Sequence, residues 1–143
     1  MLSVASMWMM LASAAIILVL GVIHLVYTFY GNKLTPRDPA LQAAMRKASP
    51  VLTRETTMWR TWIGFNASHS MGAILFGLIY GYLAIVHPAL LFESTFLLAV
   101  GFAMLAGLAL LGKLYWFSIP FREICISLAL YIAAITSHGL QLP

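Results

Sequence analysis

The eight Lys and Arg side chains of this chain occupy only two of the three connections between its apolar runs, and that partition constrains the fold more than any motif. The apolar runs cover about 8–30, 59–86, 94–114 and 119–137. Lys33, Arg37, Arg46, Lys47, Arg54 and Arg60 lie in or beside the first connection, and Lys113 and Arg122 flank the third. Cytoplasmic loops collect Lys and Arg because these residues resist translocation. Connections one and three are therefore expected in the cytoplasm, with both termini outside. A helix needs about 20 apolar residues to cross the hydrocarbon core, and backbone groups in lipid must pair within their own segment. The expected fold is all-α: an antiparallel four-helix transmembrane bundle in one integral membrane domain, with a short cytoplasmic interfacial helix.

Composition fits this class. The chain is 62% hydrophobic and 8% charged, outside the range of ordinary soluble domains. A transmembrane barrel is excluded, since it needs many short alternating strands. Ala12-Ser13-Ala14 imitates a signal cleavage site, but no basic segment precedes it and the apolar run continues to Tyr30, so a retained first span is expected. A lone cysteine, Cys125, excludes an internal disulfide. The net charge of +4 reads as topology facing anionic headgroups, not as a nucleic-acid surface. Asn66-Ala67-Ser68 spells a glycosylation sequon inside a span, and Gly107 to Leu114 nearly spells a phosphate loop with no preceding strand. Neither has the structural context its chemistry needs.

Three helix starts are expected from an oxygen-bearing residue followed by proline: Thr35-Pro36, Ser49-Pro50 and Ser118-Ile119-Pro120. Thr35 and Asp38 also resemble a capping box. Between 36 and 48, Ala40, Leu41, Ala44, Met45 and Ala48 return to one face, which suits a helix on the cytoplasmic surface. A second helix from Pro50 to His87 would be about 55 Å long and project into the cytoplasm. Pro88 should end it, with a short turn to Glu93 and a tighter one near Trp116. Short connections favour antiparallel neighbours. Ala73, Gly77 and Gly81 on span two, and Ala103 and Gly107 on span three, have the four-residue spacing that lets helices approach closely in lipid.

The intramembrane polar residues carry what chemistry there is. Asn66, His69 and Ser70 share a helical face, and His24 with Thr28 lies at similar depth on span one. Asn66 and His24 fall about 9 Å, and His69 about 14 Å, below the cytoplasmic end of their spans. Polar groups in hydrocarbon are costly unless paired or facing a cavity. They serve either as a hydrogen-bonded patch joining two helices or as a ligand site. Trp62, Arg60 and Arg122 complete the candidate ligand-binding set, at the level of an aromatic belt containing Tyr27, Tyr30, Trp59, Tyr115, Trp116 and Phe121. Such a mouth suits an amphiphile with an anionic or carbonyl head. His24 and His69 could alternatively be axial ligands of haem b, with His87 and His138 as a second pair. No Cys or carboxylate supports a metal site beside His24 and His69.

The stretch Thr35-Pro36-Arg37-Asp38-Pro39-Ala40-Leu41, the run from Thr57 through Trp59-Arg60-Thr61-Trp62 to Asn66-Ala67-Ser68-His69-Ser70, and Trp116-Phe117-Ser118-Ile119-Pro120-Phe121 resemble small four-span bacterial membrane proteins of unassigned function. The resemblance implies a bacterial inner membrane and four spans, and attaches no mechanism. Three functions stay open: a non-catalytic small subunit or binding module, partnered by the bilayer, another membrane protein or its own copies; an enzyme or carrier for a lipid- or quinone-like molecule at His24, Asn66 and His69; and a haem b electron-transfer subunit.

Overall fold

The computed structural model describes residues 4–139, which form six helices and, among the described residues, no strand. They are α1 (Val4–Phe29), α2 (Pro39–Lys47), α3 (Met58–Val86), α4 (Pro88–Glu93), α5 (Thr95–Tyr115) and α6 (Ser118–Gly139). α1, α3, α5 and α6 are long and apolar enough to cross a membrane. The shortest of these, α5 with 21 residues, spans about 32 Å, still enough for a core about 30 Å thick.

The proline devices operate, but not all where the sequence places them. Asp38 caps α2: its carboxylate accepts the Ala40 N–H at 2.9 Å, and Pro39 takes the first helical position. Thr35 caps nothing, because its hydroxyl donates to the Asn32 carbonyl at 2.8 Å. The expected capping box is therefore absent. Nor does Ser49-Pro50 start α3. Pro50 sits in a turn in which its carbonyl accepts the Thr53 N–H, and Met58 N–H reaches back to Ala48 O at 2.8 Å. The hydroxyls of this stretch compete with helix formation. Thr53 Oγ1 accepts the Glu55 N–H, and Thr57 Oγ1 accepts the Arg60 N–H, so the helix starts only after Thr57. α3 has 29 residues, about 44 Å, and is shorter than the helix from Pro50 expected of this stretch. Pro88 ends α3 as expected, yet the connection that follows is not a plain turn. It is α4, with Pro88 in its first turn and Leu91 and Phe92 buried.

The chain divides into two compact units, one made of the residues up to Leu20 and from Ala73 onward, the other of Gly21–Gly72. In the first unit, Met10, Ala14, Ile17, Phe76, Tyr80, Leu105, Ile124 and Tyr131 centre the core. Gly77 on α3 lies against α1, where an added Cβ would stand 2.6 Å from Leu18 Cβ and 2.8 Å from Ala14 O. Ala73 and Gly81 are buried on the same stripe. The stripe expected on α5 is not a contact. Ala103 is exposed and Gly107 has open space beside it, while Gly101 and Gly112 are the close-packed positions. At one end of α5, Tyr131 of α6 donates to Leu98 O at 2.9 Å, and at the other Gly112 faces Phe121.

A hydroxyl clasp joins α1 to α6. Ser13 Oγ donates to Ser127 O at 2.8 Å and Ser127 Oγ to Ser13 O at 3.0 Å, with the two hydroxyl oxygens 2.9 Å apart. Both residues are fully buried. Interhelical bonds of this kind average about 0.6 kcal/mol in membranes, so the clasp contributes register more than bulk stability.

Candidate functional site

The second unit, Gly21–Gly72, contains the end of α1, the α1–α2 connection, α2, the α2–α3 connection and the first half of α3. Helical spacing puts Asn66, His69 and Ser70 on one face of α3, and His24 of α1 meets them. His24 Nε2 lies 2.9 Å from Asn66 Oδ1, and the rings of His24 and His69 meet edge to face with centroids 5.3 Å apart. Protons can be assigned from the partners. Asn66 Nδ2 donates to the Trp62 carbonyl at 2.8 Å, and a carbonyl can only accept. That fixes the amide, turns Oδ1 toward His24, and requires His24 to donate from Nε2–H. Two further hydroxyls pin the same turns: Thr28 donates to His24 O and Ser70 to Asn66 O, both at 2.8 Å. Ser70 is buried, but its hydroxyl faces its own helix and not the cleft lining.

Beside this network is a cleft of about 270 Å³. Tyr27 and Thr28 of α1, Leu34 and Thr35 of the connection, Gln42 and Arg46 of α2, and Trp59, Trp62 and Asn66 of α3 line it. Two devices hold α2 and its preceding loop over α3. Trp62 donates its indole N–H to Leu34 O at 2.9 Å, and the Arg46 guanidinium lies over the Trp59 ring, 5.1 Å from its centre. Gly31 makes the turn out of α1 with φ of 83°, a left-handed conformation that glycine adopts without penalty.

No family model, curated protein or solved structure matches this chain. Its chemistry is therefore read from the site itself. His24, Asn66, His69 and Ser70, expected as a set, are brought together, and Trp62 and Asn66 also line the cleft. Neither of the two expected cations lines the cleft. Arg60 is exposed and outside the cleft lining, and Arg122 is an exposed residue of the other unit. The cation of the cleft is Arg46, read from the sequence only as a topological charge. Its signal was available: Gln42 and Arg46 are spaced i,i+4, one turn apart on one face of a short helix.

The arrangement of the histidines bears on haem. Axial ligation would place two imidazoles on opposite sides of a macrocycle, each aiming an unprotonated nitrogen at the iron. Here His24 uses Nε2–H to hold Asn66, and the two rings touch edge to face. His87 and His138 are not a stacked pair either: the former is exposed beside Tyr82, and the latter is buried against Phe92. Among the described residues no group of three or more His, Cys, Asp or Glu could hold a metal ion.

Proposed function

We propose that this is a multi-pass membrane protein acting as a non-catalytic binding module or small subunit, with the cleft beside α2 holding the polar head of an amphiphile. The observation that carries this is how the His24–Asn66 network is used. Both ends of the Asn66 amide and the Nε2–H of His24 are engaged within the protein. The network thus serves as a rigid wall, leaving the cleft to recognise by shape and by its remaining donors. A volume of about 270 Å³ lies just below the about 300–1,000 Å³ of drug-sized ligand sites, which suits a head or a single ring with its tail left in lipid. Tyr27, Trp59 and Trp62 supply the rigid aromatic walls common in such sites.

On this reading the four long helices form an antiparallel bundle in a bacterial inner membrane. The loops bearing Lys33 to Arg54 and Lys113 to Arg122 face the cytoplasm, and both ends face the periplasm. A cysteine replacing Ala43, in a background without Cys125, is expected to react with an impermeant reagent only when the cytoplasmic face is open. Labelling from the periplasmic side would reverse the orientation.

The binding reading is tested on protein purified in mild detergent. Native mass spectrometry should show one small amphiphile per chain, with no Soret absorption, and Trp62→Ala should lose the adduct while the chain stays monodisperse. A Soret band would move the assignment to haem. A bare chain that takes up neither short-chain lipid nor a quinone would overturn the binding role.

A further inference from the structure

We propose that the head bound in this cleft is anionic, a phosphate or carboxylate, and that Arg46, with Gln42 and Tyr27, recognises it; this rests on the binding reading above. The argument is an accounting of the polar lining. Asn66 is engaged at both ends of its amide, Trp62 N–H by Leu34 O, the Thr28 hydroxyl by His24 O and the Thr35 hydroxyl by Asn32 O. The groups with hydrogens left to give are the Arg46 guanidinium, the Gln42 amide, the Tyr27 hydroxyl, the Trp59 indole N–H and the second N–H of the Asn66 amide. No Asp or Glu lines the cleft, so the protein supplies no counter-charge there. A surplus of donors around one cation calls for a ligand made of acceptors.

Arg46 is also placed to act as a fork. Its guanidinium carbon lies over the Trp59 ring, 5.1 Å from the centre, and the cation–π contact uses none of its N–H groups as hydrogen-bond donors. Two parallel N–H···O bonds to one carboxylate or phosphate are the strong form of that contact. Gln42 stands one turn before Arg46 on α2, and its amide adds a donor from the same face. A neutral carbonyl would use one donor and leave the cation without a counter-charge. The anion comes either from a lipid headgroup or from a free ion in the cytoplasm, with the same recognition chemistry.

The test titrates the detergent-solubilised full chain with short-chain phosphatidylglycerol, short-chain diacylglycerol (the same tails without the phosphate), a short-chain quinone and inorganic phosphate, reading adduct mass and tryptophan emission. Phosphatidylglycerol is expected to bind one to one and diacylglycerol at least about tenfold more weakly, since hydrogen bonds to a charged group are about twice as strong as neutral ones. Arg46→Gln should weaken phosphatidylglycerol by a similar factor. Arg54→Gln removes the same charge from an exposed position outside the cleft and should leave binding intact. Competition by phosphate would support the proposal with a free anion as source, and its absence would support it with a lipid as source. Equal binding of both lipids, or binding of the quinone alone, untouched by Arg46→Gln, would overturn the anion and keep the binding module. No binding of any probe would overturn both.

Discussion

Gly77→Leu should abolish the folded chain or lower its stability by about 3 kcal/mol or more, the largest effect expected of any single substitution on α3. The reason lies at the first atom of the new side chain. A Cβ at this position would stand 2.6 Å from Leu18 Cβ, 2.8 Å from Ala14 O and 2.9 Å from Leu18 Cα. Two of those three atoms are α1 backbone, so no rotamer change relieves the overlap and the helices must separate. Leu is the better helix former by somewhat under 1 kcal/mol, which is too little to offset such a clash. Overpacking of an ordinary core costs about 1–3 kcal/mol, and a contact made with backbone belongs above that range. Leu78→Ile is the matched control. Leu78 is the next residue on the same helix, 53% exposed, and its change is expected to stay within about 0.5 kcal/mol. Thermal melts followed by size exclusion in the same detergent compare the pair. Similar melting temperatures would show that α1 does not press on Gly77.

How far the sequence reveals such contacts depends on whether a feature is local. The four apolar helices follow from segment length and hydropathy, and their bounds depart from the apolar runs by only a few residues. The Ala73–Gly77–Gly81 stripe is likewise legible, because small residues four apart share one face. The same pattern misleads at Ala103 and Gly107, where the packed face of α5 is instead the one bearing Gly101 and Gly112. Spacing defines a face; only the neighbouring helix decides whether that face is covered.

Proline signals fail in a related way. Ser49-Pro50 has the composition of a helix start, but Thr53 Oγ1 accepts the Glu55 N–H in a local turn, and Thr57 Oγ1, accepting the Arg60 N–H, caps the helix seven residues later. Asp38-Pro39 provides the working cap three residues after Thr35-Pro36. At the site, Asn66, His69 and Ser70 could be grouped from spacing alone, and His24 from depth. The cleft could not, because Arg46 and Gln42 reach it only when α2 is held across α3 through Trp59 and the preceding loop through Trp62. Those contacts span 13 and 28 residues of sequence, and no local rule ranks Arg46 above the other cations of its loop.

Gly101→Ala is expected to cost about 2 kcal/mol or more, even though the change adds one methyl group and favours helix. Ala gains up to about 1 kcal/mol over Gly in a helix interior, so net destabilisation requires a clash larger than that. The site supplies one. An added Cβ would overlap the Tyr131 hydroxyl and come within 2.7 Å of Tyr80 Cε1 and 2.8 Å of Tyr131 Cζ. Both rings are already constrained, since Tyr80 donates to Leu97 O at 2.6 Å and Tyr131 to Leu98 O at 2.9 Å. Gly101 is thus the gap on α5 through which two tyrosines, one from α3 and one from α6, reach its first turn. Moving either ring breaks a part-buried hydroxyl bond worth about 0.5–1.5 kcal/mol and disturbs the fully buried Tyr131. A double-mutant cycle separates this account from a general intolerance of α5 to substitution. Tyr131→Phe alone should cost about 1 kcal/mol through the lost bond. Because it also removes the atom nearest the new methyl, it should cost less on the Gly101→Ala background, or restore part of the loss, with a coupling of at least about 0.5 kcal/mol. Strict additivity of the two changes, measured as unfolding free energies in one detergent, would rule out the tyrosine contact as the cause.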